Sequence, residues 1–123
     1  MTENLTIAWL KEPEAKDYPA ALSYLSLLYD EAVAQRHVTA LRRAAPSEFK
    51  AGDVLRASGL PLLAASNPHV EKDLQKIRAA QALSPLLLLR DSPNGRVIVA
   101  DGYHRLCAVC LHDEDAAIPC RIA

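Results

Sequence analysis

The chain has 123 residues, half of them hydrophobic, and a formal net charge of −1. That length suits one domain with a real core, and the composition excludes a disordered chain. The near-neutral charge excludes a general attraction to nucleic acid or to an acidic membrane surface.

The first segment, Met1-Thr2-Glu3-Asn4-Leu5, lacks the basic and long apolar regions of a secretory signal. No apolar run approaches the roughly 18 residues that cross a membrane. The expected compartment is therefore cytoplasmic, with no membrane partner. Leu5, Ile7, Trp9 and Leu10 read as a short strand or an apolar anchor. From Pro19 onward, Leu22, Tyr24, Leu25, Leu28 and Tyr29 recur at three- and four-residue spacings. This predicts a helix with Pro19 in its first turn. Asp30 is placed to cap a second helix. That helix is apolar at Val33, Ala34, Val38 and Leu41, basic at Arg36, Arg42 and Arg43, and ended by Pro46.

Residues 49–55 read as a short strand followed by a helical turn, and Ser58-Gly59-Leu60-Pro61 as a break. Asn67 and Pro68 form a helix start, with Asn67 at the cap and Pro68 at the first helical position. The predicted helix runs to about Gln81, apolar along Val70, Leu74 and Ile77. Residues 86–90 and 96–100 are expected to pair as a hairpin. Between them Asn94-Gly95 favours the positive φ values such turns need. A helix over 104–111 and an acidic loop, Asp113-Glu114-Asp115, follow. Residues 118–122 are a last strand, where Pro119 implies an edge or strand-start position.

The densest chemistry lies where Val97-Ile98-Val99-Ala100 runs into Asp101-Gly102-Tyr103-His104-Arg105. A strand that turns through Gly into a helix leaves several N–H groups without helical partners, at the positive end of the helix dipole. With His104 and Arg105 beside it, that end is a ready phosphate site. The alternative is a tight turn in which His104 and Arg105 are solvated and Asp101 caps the helix. Tyr103 stacks on a base or closes the pocket in one reading, and packs over the sheet edge in the other. Asn67, His69 and Lys72 read as a capped, solvated helix start, or as groups that meet a ligand. His104, Cys107, Cys110 and His112 do not make a zinc site, because four ligands on one helix close a tetrahedron poorly. The three cysteines, Cys107, Cys110 and Cys120, read instead as reduced core thiols.

The order of these elements resembles the ParB/sulfiredoxin-like superfamily over about residues 48–123. The residues that carry the resemblance are Ser84-Pro85-Leu86-Leu87-Leu88, residues 98–108 with Asp101-Gly102-Tyr103-His104-Arg105, and Ile118-Pro119-Cys120. The resemblance implies a small α/β (α+β) mixed sheet with packed helices. It also implies that the Gly102, His104 and Arg105 turn holds nucleotide phosphates. In this family ParB-type members bind and hydrolyse CTP on DNA, sulfiredoxins use ATP to repair an oxidised cysteine, and related members phosphorylate a free amino acid. Where sulfiredoxins carry a cysteine in this turn, the chain has Tyr103, so thiol-based sulfinate reduction is not expected. The sequence ends at Ala123 without a helix-turn-helix segment, so spreading along DNA is not expected either. The whole chain is read as one domain, an N-terminal helical extension over 1–45 and a core over 46–123, and the extension has no counterpart in either branch. It covers the sheet or offers a face to a partner, a homodimer included.

The first functional reading is thus a nucleotide- or phosphate-binding domain using ATP or CTP with magnesium. Asp101 and Arg105 would assist phosphoryl transfer or hydrolysis, and Gly102, Tyr103, His104, Arg105, Asn67, His69 and Lys72 would bind. The alternative is a non-catalytic module for a protein or nucleic-acid partner, motivated by Arg36, Arg42, Arg43, Lys50 and Arg56.

Overall fold

In a computed structural model that describes residues 6–123, four strands and five α-helices share two apolar layers. In chain order the elements are α1 (Asp17–Leu28), α2 (Glu31–Arg43), β1 (Ser47–Lys50), α3 (Ala51–Ser58) and α4 (Pro68–Arg78). β2 (Leu86–Asp91), β3 (Arg96–Asp101), α5 (Tyr103–His112) and β4 (Ala117–Ile122) follow. The sheet order is β1-β4-β2-β3. It is antiparallel except for the parallel β2–β4 pair, so the class is α+β.

The four-leucine run explains the layering. Side chains alternate across a strand, and both faces of β2 are covered. Leu86 and Leu88 join Val99, Ile118 and Cys120 beneath α3, α4 and α5. Leu87 and Leu89 join Ile98 and Ala100 beneath α1 and α2. A strand buried on both sides reads as continuous apolar sequence rather than alternation. The N-terminal helices are therefore a structural layer of the same core.

Local chemistry sets the element ends. Asp30 Oδ1 accepts from Val33 N at 2.9 Å, so the α2 cap stands where the sequence placed it. α4 stops at Arg78, short of the expected Gln81, because Ala80 takes a left-handed φ of 55°. The β2–β3 turn is a short 3-10 segment, Ser92–Asn94, closed by Gly95 at φ 62°. Of the Asn94-Gly95 pair, only Gly95 takes the positive φ. The Asp91 carboxylate braces this turn, accepting from Asn94 and, at 2.7 Å, from Arg96 Nε. These donors hold Asp91 below the usual carboxylate range. Leu5 lies outside the described residues. Trp9 makes one parallel bridge to Leu83, so the first segment is an anchor rather than a strand.

Pro119 corrects the sequence reading. β4 is an inner strand, flanked by β1 and β2. Pro119 is tolerated there because the parallel ladder with β2 begins only at Cys120, opposite Leu86. A proline lacks a ladder donor, and this one sits where one neighbour has not yet arrived.

Candidate functional site

The site begins with a register slip. Leu88 pairs with Val99, but Leu87 pairs with Asp101, leaving Ala100 as the extra residue of a bulge. A bulge re-aims the strand end, here just before the chain turns into α5. Gly102 is the N-cap, left-handed at φ 110° with no side-chain cap bond. The expected capping role of Asp101 is therefore not taken up. The first intrahelical bond runs from Leu106 N to Gly102 O, so the N–H groups of Tyr103, His104 and Arg105 precede it and have no helical acceptor.

α4 packs against α5 and supplies the opposite wall. Together they frame a polar cleft of about 210 Å³. It is lined by His69, Lys72, Asp73 and Lys76 from α4, and by residues 101–105. The structure thus gathers Asp101, Gly102, Tyr103, His104, Arg105, His69 and Lys72, drawn from two segments of the chain, into one place. Asn67 is not in the lining. Its side chain caps α4, accepting from His69 N and Val70 N at 3.0 and 3.2 Å. The His69 and His104 rings lie 4.8 Å apart, centroid to centroid. The Tyr103 hydroxyl donates to Pro61 O and ties down the loop after α3, while its ring lies beside His104.

Arg105 turns inward. Its Nη2 donates to Asp101 Oδ2 at 3.0 Å and to Pro85 O at 3.5 Å, and stands 3.8 Å from Asp17 Oδ2. Ser84 Oγ donates to the same Asp17 carboxylate and accepts from Glu14 N. Two carboxylates therefore share one guanidinium. Burial pushes Asp101 above the usual carboxylate range; Arg105 pulls it down and Asp17 pushes it up. Arg105 Nε is buried with no acceptor among the described residues. It is an unmet donor on a residue that lines the cleft.

Asp73 also rides above the usual range, through burial, against the pull of Lys76, Arg105, His104 and Lys72. It stands among four of the cleft's basic side chains, whereas Asp101 pairs with Arg105. Sequence reasoning missed Asp73, Lys76 and Asp17. The first two were within reach, since on a helix residues 69, 72, 73 and 76 share one side. Nothing in the sequence ties Asp17 to Arg105.

The other candidates separate. Cys107 and Cys120 are fully buried, and burial pushes the Cys110 and Cys120 thiols up to about 11. Among the described residues, no three His, Cys, Asp or Glu side chains converge as metal ligands. The basic residues do not form one patch. Arg36, Arg42 and Arg43 lie on α2, over one face of the sheet, and Arg56 lies on α3, over the other. Arg42 stacks on Tyr18, and Arg56 pairs with Asp53. No helix among the described residues is long and apolar enough to cross a membrane.

No protein-family model, curated protein or solved structure matches the chain. The chemistry of the cleft is the ground on which function is argued.

Proposed function

We propose that the cleft between α4 and α5 binds a phosphate-bearing small molecule, with ATP or CTP as the class the ParB/sulfiredoxin resemblance implies. The observation that carries this reading is one of convergence. The unbonded N–H groups of Tyr103 and His104, the Lys72 and Lys76 ammoniums and two imidazoles all line one polar cleft. Phosphate oxygens accept from the amides, and the lysines neutralise the charge. Gly102, lacking a Cβ, lets the turn pack closely against Leu86 and Arg105 and so fixes where the amides sit. Asp73 and Asp101 are the carboxylates at hand for a magnesium ion carried in with a nucleotide, which would offset phosphate charge. Phosphoryl transfer or hydrolysis is the reaction class for such a site, since it needs positioning and charge stabilisation more than a covalent nucleophile.

A second reading, binding without turnover, rests on Arg105. Its guanidinium satisfies Asp101 and Asp17, so it serves as a positioning residue that fixes the turn. Calorimetry on the full chain with ATP or CTP plus magnesium tests the binding. Lys72→Ala and Lys76→Ala should each weaken affinity by about tenfold. Absence of binding by the wild type at roughly millimolar ligand overturns the proposal. Binding with no phosphate release selects the second reading.

A further inference from the structure

The sheet is open at β3. That strand pairs with β2 on one side and with no strand on the other. Alternate residues of Arg96–Asp101 therefore turn their N–H and C=O groups outward. Those groups have no backbone partner among the described residues. The opposite edge, β1, is four residues long and exposes Glu48 and Lys50, so it is short and charged, as guarded edges are. β3 is longer and carries neither lysine nor proline, only Val97, Ile98, Val99 and Ala100 between its charged ends.

A groove of about 100 Å³ borders residues 96–99, with Tyr24 and Leu28 of α1 on one wall and Ser58 and Leu60 on the other. Leu27, 82 % exposed, follows Tyr24 by three residues on α1 and so extends the first wall. Four of the eight large apolar side chains exposed among the described residues, Tyr24, Leu27, Leu28 and Leu60, thus flank this edge. An apolar concentration beside unpaired backbone marks an interface.

We propose that a second copy of this chain docks here, β3 against β3, antiparallel about a two-fold axis, to make one eight-stranded sheet. Two observations choose this occupant. A bare strand in the groove would satisfy the backbone and leave Leu27 in water. A symmetric copy keeps each sheet face on its own side, so its α1 covers the first copy's α1. Antiparallel pairing also holds the two exposed Arg96 side chains apart, at opposite ends of the shared ladder. The inference is independent of the cleft and its ligand.

Sedimentation of the full chain over roughly two decades of concentration tests it. The wild type should self-associate to a dimer. Leu27→Glu, on an exposed helix face, should fold as the wild type does by circular dichroism and weaken the dimer by about tenfold or more. Leu111→Glu, at a 40 % exposed leucine on α5, away from this edge, should leave it intact. Hydrogen exchange of the β3 amides should slow as the dimer forms. A wild type that stays monomeric overturns the proposal and leaves the groove to an extended peptide of another protein. So does a dimer that Leu111→Glu weakens as much as Leu27→Glu, or one whose β3 amides exchange at the monomer's rate.

Discussion

At Gly102 an added Cβ would sit 2.8 Å from Leu86 Cγ and 2.9 Å from Arg105 Nη2, with φ at +110°. Neither neighbour moves freely. Leu86 is fully buried and Arg105 is held by Asp101. Gly102→Ala should therefore cost about 2 kcal/mol or more, from strain at positive φ plus the clash, read as a lower urea midpoint. Asp73 predicts the opposite sign. Its proton is held more tightly in the folded chain than in the unfolded one. Its contribution to stability is thus complete below the ordinary carboxylate pKa and is lost as pH rises through the higher folded value. Asp73→Asn should abolish that part of the pH dependence. It should also strengthen binding of inorganic phosphate without magnesium several-fold at neutral pH, since it removes a carboxylate from among the cleft's cations. A variant that binds phosphate more weakly would show that Asp73 organises the lysines rather than opposing the ligand.

Among the elements, α1 and the turn before α5 act together through Asp17, Arg105 and Asp101. Removing the guanidinium strands two buried carboxylates, which in proteins costs about 3 kcal/mol. Arg105→Ala should thus be strongly destabilised at neutral pH. Without the cation Asp101 loses the pull that lowers its titration, so the deficit should shrink as acid protonates it and widen as pH rises. Urea unfolding from about pH 4 to pH 8 checks this, and a deficit independent of pH would place the effect in packing alone. The same elements show what the sequence disclosed. The hairpin was legible because Gly95 and the β-branched run of β3 are local signals. The Asn67 and Asp30 caps were legible for the same reason. The inner place of β4 was not, because Pro119 reports its own missing donor and nothing about which neighbour has arrived. Asp17 was illegible because its partners come from β3 and α5, far along the chain. The gathering of residues 101–105 with His69 and Lys72 was one of two readings of that helix start, the other being a solvated N-terminus, whereas the inward turn of Arg105 depends on a carboxylate from α1.

For the whole molecule, the helical extension covers one face of the sheet. Deleting residues 1–45 would bare Leu87, Leu89, Ile98 and Ala100 on a full sheet face. A fragment of residues 46–123 should therefore be insoluble or expanded, without the dispersed amide signals of a packed core. A well-dispersed, soluble fragment would make the extension an accessory layer instead. The strand order has a kinetic side as well. β2 and β3 meet across a tight turn, whereas β1 must wait for β4, the last of the four described strands in chain order, before Phe49 finds Ile118. Chain closure over such a span is slow relative to hairpin formation. A nascent chain therefore carries β1 as an unpaired strand until β4 has left the ribosome, and the time it spends so exposed is set by translation rather than by any step within the folded protein.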